Sequence, residues 1–276
     1  MVSDNDIAEQ ARIIRYLTIK SIYDAQSGHA GTSLSMIEIL SALYLRHMRY
    51  DVQRPNWEDR DRLILSKGHG APGLYATLAH VGFFDSTELS TLRAYGSRLQ
   101  GHPKEGILPG IDVSTGSLGQ GLSIGLGMSL ALKRQSKDSR VYVILGDGEM
   151  QEGQVWEAMM AAAAWKAANL IAIVDRNGLQ NDAATQSIIP LGELSEKAKA
   201  FGWRSLAVDG HDISALSNAL EFAVEASDKP CLIEAYTIKG KGISFMENVV
   251  KWHHHPISES EYILALEELG GLGLGK

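Results

Sequence analysis

Residues 141–180 read VYVILGDGEMQEGQVWEAMMAAAAWKAANLIAIVDRNGLQ, and this stretch decides how the 276-residue chain folds. Residues 141–145 form an apolar, β-branched run stopped by Gly146-Asp147-Gly148, the pattern of a buried strand ending at a sharp turn. From 151 to 168 the sequence is rich in alanine and free of Pro, with its one Gly at 153, which predicts a helix. Residues 170–174 are a second buried strand, closed by Asp175-Arg176-Asn177-Gly178. Strand, helix and strand in that order make a βαβ crossover, so the two strands should be parallel neighbours with their carboxyl ends on one edge. Open α/β sheets bind ligands along that edge, and here it brings Asp147 and Asn177 side by side.

A carboxylate and an amide oxygen so placed suit a hard cation such as Mg²⁺, which completes its octahedral shell from phosphate and water. The flanking glycines let a phosphate approach the backbone, and the start of the 151–168 helix adds a favourable dipole. Asp-Gly and Asn-Gly are also ordinary turn pairs after strands. Spacing alone leaves both readings open.

Working outward, composition sets the limits. At 45% hydrophobic residues the chain can bury one large α/β core or two small ones. A net charge of −7 and a pI near 5.7 argue against a nucleic-acid or anionic-membrane surface. The one cysteine, Cys231, sits in an apolar run and reads as a buried strand residue rather than a nucleophile. The opening MVSDNDIAEQARII has no apolar segment of the signal-peptide kind, and residues 116–132 are too polar and glycine-rich for a membrane span. The expected compartment is the cytoplasm.

Helices and strands alternate along the rest of the chain. Ile7, Ala11, Ile14, Leu17 and Ser21 mark one face of an opening helix. Ser35 and Glu38 have the spacing of a capping box for a second helix running to His47. Further helices are expected at 72–81, 86–95, 193–201, 213–226 (capped by Asp212) and 259–269, and strands at 62–65, 205–208 and 231–237. Residues 96–118 form a long irregular stretch of the kind that is usually functional, and the glycine-rich tail 270–276 reads as frayed. The fold expected over 1–276 is a single α/β domain, a five- or six-stranded, mostly parallel sheet with helices on both faces.

Four histidines, His29, His69, His102 and His253, lie in loops, the first three directly after a Gly and the last in a run that ends at Pro256. Imidazole donates to phosphate and moves protons between hydroxyl and carbonyl oxygens near neutral pH. A zinc site in the run His253-His254-His255 is the competing reading, but adjacent residues seldom converge on one ion and no Cys or acidic partner is near.

The wording GDGEMQEGQVWEA followed by VDRNGLQ resembles the metal–diphosphate motif of transketolase, a thiamine diphosphate enzyme family. SGHAG at 27–31, LSKGHG at 65–70, LQGHPK at 99–104, STGSLGQGL at 114–122 and VDGHD at 208–212 are similar to family motifs in the same order. The resemblance implies a thiamine diphosphate-binding fold. It implies that Asp147, Asn177 and the backbone carbonyl of Leu179 hold Mg²⁺ (or Ca²⁺ or Mn²⁺). Gly146, Asp147, Gly148, Glu149 and Asn177 would then approach the cofactor, with His69 and the Gly116-Ser117-Leu118 backbone, Leu118 packing on its rings. His29, His102 and one histidine of the 253–255 run would meet sugar hydroxyls or the diphosphate, His253 being preferred because it directly follows Trp252. Glu152 corresponds to an acid that joins a proton relay across the subunit interface. Arg176 stands where the family commonly has a second Asn, Ala30 where it has Pro, and three histidines where it often has His-Gly.

Family members with both catalytic domains are at least twice as long, and the glutamate that protonates the cofactor's aminopyrimidine lies in the other half. The resemblance therefore implies the N-terminal, diphosphate-binding subunit of a split transketolase. Such an enzyme transfers a two-carbon ketol unit from a ketose to an aldose. A C-terminal transketolase subunit on a separate chain would complete a heterotetramer of two plus two. The small residues Ala158, Ala161, Ala162 and Ala168 offer a face on which a partner helix could pack. Two alternatives remain: a subunit of a deoxyxylulose-phosphate-synthase-like or dehydrogenase-type thiamine enzyme, and a Mg²⁺-nucleotide module, which would lack the usual lysine-bearing phosphate loop. No motif names the sugar.

Overall fold

Five strands, β1 (Arg62–Leu65), β2 (Val141–Gly146), β3 (Leu170–Arg176), β4 (Arg204–Asp209) and β5 (Cys231–Tyr236), make one sheet in the order β1-β2-β3-β5-β4, every neighbouring pair parallel. This computed structural model describes residues 2–225 and 227–271. The central strands β2, β3 and β5 are buried on both faces because both are covered, while the edge strand β4 is half exposed. Tyr142, Ile144, Ile171, Ile173, Cys231 and Ile233 point into one layer, and Val141, Val143, Leu145, Leu170, Ala172 and Val174 into the other. Alternation along each strand thus feeds two separate cores.

The first layer holds α1 (Asp4–Ala25), α2 (Ala30–Ser35), α3 (Ile37–Ala42), α4 (Ala71–His80) and, later in the chain, α9 (Ile213–Val224). The second holds α5 (Gln120–Arg134), α6 (Gly153–Ala164) and α8 (Leu194–Ala200). The single turn α7 (Thr185–Ile188) lies in the loop after β3, and α10 (Glu259–Glu268) packs beside α1. Ile7, Ala11, Ile14 and Ser21 are buried as the periodicity requires, and Asp212 caps α9 by accepting from the amides of Ser214 (2.9 Å) and Ala215 (3.0 Å). Cys231 is buried in β5.

Several local expectations fail for tertiary reasons. Ser35 does not cap a helix; it closes α2 and donates 2.6 Å to Asp175. Glu38 turns to Arg15 (2.6 Å) and His211 (3.0 Å) instead of back to a helix start. The helix expected at 86–95 is a 3₁₀ segment, Ser86–Thr91, and the one expected at 151–168 is shortened at both ends to α6, behind a 3₁₀ turn Gly148–Gln151. Ala158 and Ala162 are spent on the chain's own core and Ala168 lies beyond α6, so those alanines present no free face. Of the tail at 270–276, residues 272–276 lie outside the described residues.

The helix α5 has no counterpart in the sequence reading, because glycine costs about 1 kcal/mol per residue in a helix interior. Packing supplies the reason for the glycines. A Cβ at Gly125 would stand 2.6 Å from Val143 Cγ2, and one at Gly121 only 2.3 Å from Ser66 Oγ. Four residues apart, they let the helix lie directly on β1 and β2.

Candidate active site

The carboxyl ends of β1, β2, β3 and β5 meet at a cavity of about 360 Å³, a size suited to a cofactor. Register puts Gly146 opposite Asp175, so the turns after β2 and β3 face each other. Asp147 is buried there, its Oδ2 accepting from the Gly178 amide and the Thr185 hydroxyl, both at 2.9 Å, and its Oδ1 from Gly148. Burial pushes its carboxyl above the ordinary range, against the hydrogen bond from Thr185, and the charge of Asp175 adds to the rise. A cation placed beside it would relieve both.

Asn177 is held by its amide nitrogen, which donates 3.0 Å to Asp175, and its Oδ1 accepts from the Leu179 amide at 3.2 Å. Behind it lies a buried polar network. Asp175 accepts from Ser35, Asn177, Thr237 and the Lys67 ammonium, while Lys67 also donates to the Thr32 carbonyl (3.1 Å) and hydroxyl (2.9 Å). Burial works against the Asp175 charge, but Lys67 and the hydrogen bonds outweigh it and hold the carboxyl below its usual range. A second ammonium, Lys239, donates to the carbonyls of Leu179 (3.1 Å) and Gln180 (2.9 Å) and contacts His253 Nδ1 at 3.0 Å. Burial and the neighbouring Lys67 charge lower it to about 8.

Histidines from four distant loops converge above this floor. His29 lies 5.3 Å from His69, 5.4 Å from His253, 4.7 Å from His254 and 6.5 Å from His102, ring centre to ring centre. Burial, then the neighbouring imidazoles and Arg93, lower His29 to about 3, and burial with Lys239 lowers His253 to about 4. His69 is pushed well down by burial and the Lys67 charge. At neutral pH these rings are uncharged, each able to donate one hydrogen bond and accept another. The His29 Nδ1 is buried without a protein partner, as is Gln180 Nε2 on the same cavity. Unmet polar atoms aimed into a cavity call for a polar ligand.

This geometry sits within a recognisable family. Residues 7–272 match the transketolase, thiamine diphosphate binding domain. The chain belongs to the transketolase family. It is 45% identical over 264 residues to a 6-deoxy-6-sulfo-D-fructose transketolase subunit of Clostridium sp. (strain MSTE9), covering 96% of each. An apulose-4-phosphate transketolase subunit of Phocaeicola vulgatus is 40% identical, over 91% of this chain and 89% of that one. Among solved structures, a Pichia stipitis transketolase superposes with a TM-score of 0.91 at 30% identity over 96% of this chain. The chain spans 40% of the length of that transketolase.

Of the residues expected to approach the cofactor, all but Ser117 line this cavity. Gly116, with φ 148°, packs within 3.2 Å of the His102 ring through the position a Cβ would fill, and Leu118 is exposed at the cavity wall. Gly146, Gly148, Asn177, Leu179 and Glu152 line the same cavity. Ser117 is exposed beside them. Glu149 lines the cavity as well. Its carboxylate is turned inward, accepting from the amides of Gly119 (2.7 Å) and Gly146 (3.0 Å) and from Ser66, so it braces the loop before α5. His211 of VDGHD lies outside the cluster, tying Glu38 to the Ile238 amide (2.8 Å). Of the histidine run, His253 and His254 both reach His29, while His255 turns to the Pro256 carbonyl at 2.6 Å. Sequence reasoning missed Lys67, Lys239 and Asp175. Lysines inside LSKGHG and KGKG, flanked by glycines at strand ends, were the available signal. Among the described residues no three His, Cys, Asp or Glu side chains converge as a metal site, so a cation here needs the amide and carbonyl oxygens.

Proposed function

We propose that this chain is the diphosphate-binding subunit of a split, cytoplasmic transketolase that moves a two-carbon ketol unit from a ketose to an aldose. The supporting observation is the convergence of His29, His69, His102, His253 and His254 over the Asp147–Asn177 edge. Relatives named as subunits match nearly end to end, which supports a second chain as the source of the pyrimidine-binding half. That chain would be a C-terminal transketolase subunit, in a two-plus-two heterotetramer. Both relatives are named for sugars bearing a sulfonate or phosphate, so a sugar of that class is the proposed substrate.

Asp147, Asn177 and the Leu179 carbonyl would hold Mg²⁺, or Ca²⁺ or Mn²⁺, against the diphosphate. The Leu179 carbonyl already accepts from an ammonium, so a positive charge suits it. Bound thiamine diphosphate supplies an electron sink for carbon–carbon cleavage. The chain's own groups do the rest. Lys67 and Asp175 keep Asn177 in register, Leu118 offers an apolar wall, and the neutral imidazoles orient sugar hydroxyls and pass protons among them. Glu152, exposed at the start of α6, would meet an acid of the partner. Ile124, Met160 and Trp165 expose apolar surface on the neighbouring helices α5 and α6 and the turn after α6, a surface suited to that partner.

Ketol transfer with thiamine diphosphate and Mg²⁺ tests the reading. The isolated chain should be inactive and should gain turnover on mixing with a C-terminal transketolase subunit. Robust turnover without a second polypeptide would overturn the split arrangement.

A further inference from the structure

The motif VDGHD at 208–212 lies outside the cavity, yet its histidine touches the segment that supplies part of the cavity floor. β4 and β5 stay in register as far as Asp209 and Tyr236. One step further the Gly210 amide still donates to the Tyr236 carbonyl, at 2.7 Å, and the chain then turns away into α9. Backbone polar groups alternate sides along an extended segment. The Thr237 amide therefore faces β3, donating 3.1 Å to the Arg176 carbonyl, and the Ile238 amide faces the side that β4 has left. The His211 ring fills that place, its Nε2 accepting from the Ile238 amide at 2.8 Å. An amide N–H can only donate, so the proton of this ring sits on Nδ1, which donates to Glu38 at 3.0 Å. Glu38 is held in turn by Arg15 at 2.6 Å, both side chains being largely buried.

We propose that His211 is a positioning residue: it extends the sheet by one hydrogen bond and so fixes the backbone at Ile238, from which Lys239 reaches into the cavity. The Lys239 ammonium spans the carbonyls of Leu179 (3.1 Å) and Gln180 (2.9 Å) and His253 Nδ1 (3.0 Å), joining the turn after β3 to the histidine cluster. Its stem has little room to adjust, since a Cβ at Gly31 would stand 2.8 Å from Lys239 Cγ. On one side the segment is anchored by the Thr237 hydroxyl on Asp175, and on the other by the Gly240 amide on the Gly31 carbonyl at 2.9 Å. Between those anchors His211 holds Ile238. An amide deprived of its acceptor in a half-buried place turns towards another, and Lys239 would swing with it. Groups that orient a ligand without touching it are typically worth about 10- to 100-fold in metal affinity or activity. The effect expected on cofactor binding rests on the metal–diphosphate reading above.

Two substitutions separate the contacts of the ring. In His211→Asn the amide nitrogen takes the place of Nδ1, which keeps Glu38 and leaves Ile238 without an acceptor. In His211→Gln the amide oxygen takes the place of Nε2, which keeps Ile238 and gives up Glu38. In the full chain, His211→Asn should move the His253 ring resonances and weaken thiamine diphosphate binding with Mg²⁺, measured by calorimetry, about 10- to 100-fold. His211→Gln should leave those resonances in place and binding close to wild type, while lowering Tm more than His211→Asn does. A role confined to steadying Glu38 predicts the reverse order. His253 resonances unmoved by His211→Asn, wild-type cofactor affinity in that variant, or equal effects of both substitutions overturn the proposal. If His211→Asn does not fold, His211→Gln decides: wild-type His253 resonances uphold the proposal and displaced ones overturn it. If the resonances follow the expected pattern while the wild-type chain binds no thiamine diphosphate, only the metal–diphosphate reading fails.

Discussion

Asn177 donates its side-chain amide to Asp175 across 3.0 Å, while the same carboxylate is ion-paired to Lys67, fully buried and drawn from a strand end 108 residues earlier. The proposed metal ligand is thus oriented by a charge pair that water does not reach. Breaking such a pair from one side leaves a bare buried charge, at about 3–5 kcal/mol. Asp175→Ala should therefore lower Tm by roughly 10 °C, given about 2–4 °C per kcal/mol for a chain of this size. Lys67→Met combined with Asp175→Leu should regain much of that stability while cofactor binding stays impaired. A Tm for Asp175→Ala within a degree or two of wild type would show that the network carries little of the fold.

Asp147 faces the cavity with two backbone amides and a hydroxyl as its hydrogen-bond partners, so its charge is not neutralised by a contacting cation among the described residues. Thiamine diphosphate should raise the wild-type Tm only with a divalent cation present, because the diphosphate and this carboxylate otherwise repel. At a ligand concentration one hundred times Kd the gain corresponds to about 2.7 kcal/mol. In Asp147→Ala the metal-dependent part of the shift should vanish. Its persistence would remove Asp147 from the ligand set.

His69 and His102 carry side chains into the cavity from glycine-flanked loops and fill no apolar core. Alanine at either should cost roughly 10²–10⁴-fold in turnover of the reconstituted enzyme, the range for groups that move or stabilise charge. Melting temperature should barely change. Near wild-type rates in both variants would return these histidines to the role of loop residues.

Glu38 supplies a pH dependence away from the cavity. Burial pushes its carboxyl up, but Arg15 and His211 outweigh burial and hold it at about 2, against 4.5 for a free glutamate. A depressed folded-state pKa contributes stability that is complete above the unfolded value and fades as pH falls from about 4.5 towards 2. The contribution is roughly 3 kcal/mol at neutral pH. Urea unfolding from pH 7 to pH 3 should show a shallower decline for Glu38→Gln than for wild type. Parallel curves would place the acid sensitivity in other carboxylates.

The crossover from β2 through α6 to β3 was legible because burial on both faces imprints a local pattern: unbroken apolar strands, and an alanine-rich helix between turn residues. With chain direction fixed, handedness and parallel pairing followed, and Asp147 and Asn177 had to share an edge. What only tertiary structure decided is everything that depends on a neighbour distant in sequence. The glycines of α5 read as helix breakers until β1 and β2 lie against them, where any Cβ at 121 or 125 would collide. Ser35 and Glu38 have the spacing of a cap, yet their hydroxyl and carboxylate go to Asp175 and Arg15, which offer stronger partners than a helix end. The histidines stand 33 or more positions apart along the chain and meet because the four loops that carry them open on one sheet edge. Residue type and local spacing specify the chemistry a side chain can perform; the register of parallel strands, set by packing on both faces, specifies which side chains perform it together.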